Sequence, residues 1–264
     1  MHRFGLVQMD IVWENIGENK KKVERFLKEA KEKAVECIVF PEMTMTGFSM
    51  NTSMAAYYDE INEFFEKKAV EYGVTIVYGI IAEGGKEKFE NRLIIVDETG
   101  KRLMEYAKIH PFSFGAESKY YTGGEQVYAC HWKDTILSGF ICYDLRFPTI
   151  FQMVSKESKV IFVIANWPDA RVDQWDALLC ARAVENACYV IGVNRTGRAG
   201  SLNYNGHAGA YNFNGERLTE IIEEEAMLTV DLDLSLIDQF RAGFPVIQDR
   251  RSDLYKKMKL IIHE

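Results

Sequence analysis

Leu137-Ser138-Gly139-Phe140-Ile141-Cys142-Tyr143-Asp144-Leu145-Arg146-Phe147-Pro148 reads as an apolar strand running into a polar turn, with a thiol at the junction. In α/β sheets ligands collect outside the carboxyl ends of strands. A nucleophile on a tight strand-to-helix turn is exposed there, while neighbouring backbone N–H groups point at the same spot. A free cysteine is more often a small buried hydrophobe, but two other segments argue against that here. Cys37-Ile38-Val39-Phe40-Pro41 ends in Glu42, and Leu103-Met104-Glu105-Tyr106-Ala107 ends in Lys108, followed by Ile109-His110-Pro111-Phe112. A carboxylate so placed can accept a thiol proton, and an ammonium can hold the oxygen that turns negative when a carbonyl or nitrile carbon is attacked. Singly, each is an ordinary solvated charge. Together they make a constellation.

The surrounding pattern supplies the sheet. Phe4 to Gln8 reads as a strand, Val23, Phe26, Leu27, Ala30 and Ala34 form an apolar stripe at helical spacing, and Cys37 to Phe40 is again a short strand. A helix from about Tyr57 to Tyr72 leads to a strand over Val74 to Ala82. Arg92 to Asp97 and the Glu98-Thr99-Gly100-Lys101 turn make a hairpin into Leu103 to Tyr106. After Cys142 the pattern predicts a helix, a strand Val160 to Ala165, a helix Trp175 to Cys188 and a strand Tyr189 to Asn194. Such alternation implies helix-covered sheets of the α/β class, and late strands near Ala208 to Phe213 and Met227 to Leu232 imply that the sheets are mixed.

The chain has 264 residues, 47% hydrophobic and 27% charged, with no low-complexity stretch or linker at which to divide it, so a single domain over residues 1–264 is expected. A formal net charge of -7 argues against nucleic acid or an anionic membrane as partner. The lysines of Lys20-Lys21-Lys22 alternate with glutamates, as on a solvated helix face. No secretory signal pattern or bilayer-length apolar run is evident. Five cysteines, at 37, 130, 142, 180 and 188, include no C-x-x-C pair, so neither a disulfide framework nor a zinc cluster is indicated. A reducing cytoplasm fits, no metal or cofactor is called for, and Cys142 stays a usable thiol.

Pro41-Glu42-Met43-Thr44-Met45-Thr46-Gly47-Phe48, Ala107-Lys108-Ile109-His110-Pro111-Phe112 and Ile141-Cys142-Tyr143-Asp144-Leu145-Arg146-Phe147-Pro148 resemble the Glu, Lys and Cys motifs of the nitrilase (carbon–nitrogen hydrolase) superfamily, in their usual order. The resemblance continues through Ala165-Asn166-Trp167-Pro168, Ala181-Arg182-Ala183-Val184-Glu185-Asn186 and Gly206-His207-Ala208. Thr46-Gly47-Phe48 and Ala165-Asn166-Trp167-Pro168 look most like the omega-amidase branch. Pro111 stands where these amidases commonly have Leu, and Ala208 where Ser is common, which touches the pocket rim and not the Glu, Lys or Cys positions. The resemblance implies a four-layer α-β-β-α sandwich. It further implies a homodimer or higher homo-oligomer, with the tail from Phe240 contributing to subunit contact, and a second glutamate at Glu117 that orients Lys108 or the substrate amide.

The chemistry implied is attack by Cys142 on an amide carbon, with Lys108 and the backbone N–H of Tyr143 holding the oxyanion and Glu42 carrying the proton. A nearby ammonium is expected to lower the thiol's proton affinity. A Cys–His system using His110, His131 or His207 is the alternative. Arg146 suits bidentate capture of a substrate carboxylate, or else makes an ion pair with Asp144 or another acid. Arg171 is a second candidate, and Phe48 and Trp167 are candidate pocket walls. The expected reaction is hydrolysis of the terminal amide of a small dicarboxylic acid monoamide, such as 2-oxoglutaramate or 2-oxosuccinamate. Other amidase activities of the superfamily, on deaminated glutathione or N-carbamoyl amides, and a catalytically silent binding member remain open.

Overall fold

The computed structural model describes residues 1–85 and 88–262. In chain order the elements are β1 (His2–Gln8), α1 (Ile16–Glu32), β2 (Cys37–Val39), α2 (Tyr58–Tyr72), β3 (Thr75–Glu83), β4 (Phe89–Val96), β5 (Arg102–Ala107), α3 (Glu117–Tyr120), β6 (Ala129–Trp132) and β7 (Thr135–Ile141). There follow α4 (Pro148–Val154), β8 (Val160–Ala165), α5 (Val172–Asn186), β9 (Tyr189–Asn194), β10 (Thr196–Ala199), β11 (Leu202–Asn205), β12 (Gly209–Tyr211), β13 (Ala226–Leu232), α6 (Ser235–Gly243) and α7 (Ser252–Tyr255).

Two mixed sheets dominate, one in the order β13-β1-β2-β3-β4-β5 and the other β12-β9-β8-β7-β6. Side chains alternate across a strand, and this chain uses both faces. Val39, Val77 and Ile95 point between the sheets, where they join Phe140, Phe162 and Val193 in one core. Their neighbours Ile38, Ile76 and Ile94 point outward onto Val23, Phe26 and Leu27 of α1 and Ile61 and Phe65 of α2. On the far side, Phe151 of α4 and Trp175, Leu179 and Ala183 of α5 close the second sheet. The result is the four-layer α-β-β-α sandwich. Burial on both faces explains why the strands read as continuous apolar runs.

Local chemistry sets the ends of the helices. The Asn15 side chain caps α1 by accepting from the Glu18 N–H at 3.0 Å, and Gly73, at φ +63°, ends α2 in the left-handed conformation that lacks a Cβ penalty. The lysines of α1 lie on the surface as expected, Lys20 paired with Glu60 and Lys21 with Glu18. Short elements escape the sequence reading: β6, the β10–β11 hairpin, and a 3₁₀ turn over Cys142–Arg146 that delays the expected helix until Pro148. Pieces of four or five residues that mix polar and apolar side chains carry too little periodicity to register. Among the described residues, no helix is long and apolar enough to cross a membrane.

Candidate active site

Strand direction gathers the site. β2 and β3 are parallel, and β4 and β5 follow antiparallel in turn, so β2 and β5 run the same way and bring Glu42 and Lys108 to one edge of their sheet. β7 and β8 are parallel, and bring Cys142 and Asn166 to the matching edge of the other. The two edges meet where the Asn166 backbone N–H donates to Glu42 Oε2 at 2.8 Å and its side-chain amide donates to the Glu42 carbonyl at 2.7 Å.

The approach of the Glu42 turn depends on Gly79 in β3. A Cβ there would lie 2.3 Å from the Met43 nitrogen and 2.8 Å from Glu42 Cα. Met43 itself has φ +48°, and the turn is pinned by Thr44, whose N–H donates to the Gly79 carbonyl at 3.0 Å and whose hydroxyl accepts from the Gly79 N–H at 3.1 Å. Cys142 has φ +47°, a conformation costly for a residue with a Cβ and typical of nucleophile turns. Asp144 holds this turn by accepting from the Ile141 N–H at 3.2 Å, and ties it to the lysine segment through Tyr106 Oη at 2.7 Å and the His110 N–H at 3.0 Å.

Glu42, Lys108 and Glu117 form a buried charge cluster. Lys108 Nζ lies 3.0 Å from Glu42 Oε1 and 3.0 and 2.9 Å from the two oxygens of Glu117. Glu117 is not a surface charge: it is fully buried on α3 and also accepts from the Phe112 N–H at 2.5 Å. Burial alone would favour a neutral Lys108, but the Glu117 and Glu42 charges outweigh it and hold the ammonium well above the ordinary lysine range. A cation held in this way suits stabilisation of negative charge better than proton transfer.

The expected low proton affinity of Cys142 is corrected here. Burial pushes the thiol well above its usual range, and the Glu42 charge adds to that, while Lys108 pulls the other way. One ammonium facing two carboxylates leaves no surplus positive charge for a thiolate. This balance favours the thiol form of Cys142 over the thiolate.

None of the three histidines in the alternative reading is a hydrogen-bond partner of Cys142 among the described residues; the sulfur's polar neighbour is the Asn166 carbonyl at 4.0 Å. His110 is engaged by Asp144 at 2.8 Å and stacked on Phe147 with ring centroids 3.7 Å apart. His207 is engaged by Asp176 at 2.7 Å, and His131 is exposed on β6.

Cys142 opens onto a pocket of about 60 Å³ lined by Phe48, Phe112, Tyr143, Arg146, Asn166, Trp167, Arg171 and Tyr204, among others. The sequence-derived wall residues Phe48 and Trp167 both reach it. Arg146 does not pair with Asp144. It donates to Gln174 Oε1 at 2.6 Å and lies over the Trp167 ring at 4.8 Å, while Arg171 lies over Phe112 at 5.9 Å. Neither guanidinium has a carboxylate partner among the described residues. Tyr143 is the second residue of the 3₁₀ turn, where backbone N–H groups have no acceptor within the turn. The sequence reading missed Asn91, Phe112 and Tyr204 as site residues. Asn91 gave no signal, because it stands between the charged residues Glu90 and Arg92, before the apolar run of its strand begins.

Comparison with known proteins identifies the family. The chain is 34% identical over 253 residues to 2-oxoglutaramate amidase of Bacillus subtilis, covering 94% of this chain and 97% of that protein. It is 30% identical over 247 residues to omega-amidase YafV of Yersinia enterocolitica, covering 92% and 94%. Among solved structures, XC1258 from Xanthomonas campestris, a CN-hydrolase superfamily protein, superposes over the whole of both chains with a TM-score of 0.87 at 28% identity. With residues 3–242 also matching the family described as Carbon-nitrogen hydrolase, this chain belongs to the carbon–nitrogen hydrolase family.

Proposed function

We propose that the protein is an omega-amidase that hydrolyses the terminal amide of a short dicarboxylic acid monoamide, of the 2-oxoglutaramate or 2-oxosuccinamate type, to the carboxylate and ammonia. The observation that carries this reading is a thiol beside a buried Glu42–Lys108–Glu117 cluster, at the floor of a small pocket whose wall holds two arginines without carboxylate partners among the described residues. The pocket's size favours a short acyl chain, and the arginines favour a substrate with a distal carboxylate.

In the proposed cycle Glu42 takes the Cys142 proton as sulfur bonds to the amide carbon. Lys108 and the Tyr143 N–H hold the oxyanion, and Glu117 keeps Lys108 oriented. Collapse breaks the carbon–nitrogen bond, and the proton on Glu42 leaves with the ammonia. Glu42 then draws a proton from a water that attacks the thioester, releasing the carboxylic product and restoring the thiol. The raised proton affinity of Cys142 fits this order, because the proton stays on sulfur until substrate arrives.

We further propose that the chain acts as one domain, since a single core draws on both sheets. A homodimer is supported by exposed apolar side chains on α4, α5 and the tail, including Met153, Val184, Phe244 and Ile261. A reducing cytoplasmic setting is supported by five cysteines that all stand as free thiols.

The test is intact-protein mass spectrometry of the parent and Glu42→Gln with a panel of monoamides, deaminated glutathione and N-carbamoyl amides, alongside ammonia release. The parent should release ammonia fastest from the short acidic amides, and Glu42→Gln should accumulate an acyl adduct on Cys142 from an activated ester. Preference for a neutral or peptide-sized amide, or turnover that survives Cys142→Ala, would defeat the proposal.

A further inference from the structure

Asn91 occupies a place in the site that the cycle above leaves unused. It sits in β4 and is 1% exposed. Its Nδ2 donates to Glu42 Oε1 at 2.7 Å and to Glu117 Oε1 at 3.0 Å. Of the two ends of the amide, the nitrogen faces the two carboxylate oxygens, since a carbonyl there would bring three acceptors together. The cost of that orientation is visible: Asn91 Oδ1 is buried with no hydrogen-bond partner among the described residues. An orphaned buried carbonyl is destabilising, and the two donors on the carboxylates offset that cost, because an apolar side chain here would leave Glu42 and Glu117 with fewer partners.

Its contribution lies in what Lys108 must do during the reaction. All three contacts of the Lys108 ammonium go to carboxylate oxygens, at 2.9 to 3.0 Å. To meet an oxyanion, Lys108 has to turn one N–H away from a carboxylate. The oxygens it shares with Asn91 are Glu42 Oε1 and Glu117 Oε1, the same two that the asparagine holds. We propose that Asn91 is a positioning residue, an amide clamp that keeps the Glu42 and Glu117 carboxylates in place while Lys108 redirects a donor to the reacting carbonyl oxygen. The inference rests on the amidase reading. The titratable groups facing Glu42 are Lys108 beyond β5, Glu117 on α3, Tyr121 beside it, Cys142 beyond β7 and Tyr204 on β11. Of these, only Lys108 supplies positive charge.

The experiment compares the parent with Asn91→Leu, which removes both donors and keeps the branched outline, and with Asn91→Asp, which keeps the shape and puts a third carboxyl group in place of the amide donors. Two readouts are taken across pH: steady-state amide hydrolysis, and the rate of iodoacetamide labelling at Cys142, which needs no amide substrate. Loss of a donor to an ionised carboxylate makes protonation easier, so the acid limb of kcat/KM should move to higher pH by about one to two units. The labelling rate should move with it. kcat at neutral pH should fall by roughly 10- to 100-fold with KM within about threefold of the parent. A merely structural asparagine would shift melting temperature and leave both limbs in place. A folded Asn91→Leu with an unmoved limb and kcat within about threefold of the parent overturns the clamp, and if the leucine variant does not fold, the same result from Asn91→Asp overturns it. If the parent hydrolyses no amide but the labelling limb moves in the variants, the clamp stands and the amidase reading falls. If the parent is active and neither limb moves, the reverse holds.

Discussion

Replacing Lys108 by methionine removes an ammonium while keeping most of an unbranched apolar stem. In the parent that ammonium pairs with both Glu42 and Glu117 at 2.9 to 3.0 Å, and all three side chains are buried. Removing one member of a buried charge cluster leaves the others uncompensated, at a cost of about 3–5 kcal/mol. In a domain of this size each kcal/mol moves the melting temperature by roughly 2–4 °C, so Lys108→Met should melt about 6–20 °C lower. The Asn91, Asn166 and Phe112 donors that remain on the two carboxylates favour the lower half of that range. A separate effect falls on the chemistry. The oxyanion carries charge only in the transition state and intermediate, so loss of its cationic donor should lower kcat by about two to three orders of magnitude while KM changes little. Thermal unfolding followed by circular dichroism, and ammonia release measured well below the variant's melting onset, separate the two effects. The sign of the pH dependence is also fixed. Lys108 holds its proton well above the ordinary lysine range, so its stabilising contribution is fully present below that range and fades only as pH climbs toward the raised value. Between about pH 6 and 9 the ionisation of Lys108 itself should therefore add no slope to the stability difference between parent and variant. A kcat within about threefold of the parent, or a KM that rises in step with the fall in kcat, would refute the assignment of Lys108 to the oxyanion.

Arg146→Lys should raise KM for acidic amides by about tenfold and leave a neutral short-chain amide nearly unaffected, because a point charge cannot reproduce a bidentate fork; equal losses on both would assign Arg146 to its Gln174 contact instead. Gly79→Ala would force a methyl to 2.3 Å from the Met43 nitrogen, so it should cost about 1–3 kcal/mol in denaturant unfolding and lower turnover at least tenfold by shifting Glu42; parent-like activity would mean that the Glu42 turn tolerates displacement. Cys142→Gly should unfold at higher denaturant than Cys142→Ala, by about 1 kcal/mol, because only glycine relieves the φ +47° conformation; the opposite order would mean that the nucleophile turn relaxes without strain.

Much of this architecture is legible in the chain. Val160–Ala165 and Tyr189–Asn194 are strands with the bounds their apolar runs suggest, and the stripe of Val23, Phe26, Leu27 and Ala30 is the buried face of α1, while Ala34, read as part of that stripe, lies past the helix end at φ +54° and is exposed. Apolar runs and their periods are local properties, so reading them needs no knowledge of what packs against them. Glu42, Lys108 and Cys142 stand out for the same reason, as chemistry-bearing residues where an apolar run stops. Electrostatics and close approach are different. The raised proton affinity of the Cys142 thiol depends on its depth and on charges brought in from three other segments, a balance that a lysine in the motif does not reveal. Arg146 turns to Gln174 and not to Asp144, because Asp144 is already engaged by Tyr106, His110 and the Ile141 N–H. Gly79 looks like an interruption in a strand and Asn91 like one more polar residue in a charged stretch, and only the packed sheets reveal that one admits the Glu42 backbone and the other reaches both carboxylates. The sequence by itself determined which groups stand at the strand ends. The tertiary structure decided their protonation, their partners and their spacing, because those are set by distances between segments far apart in the chain.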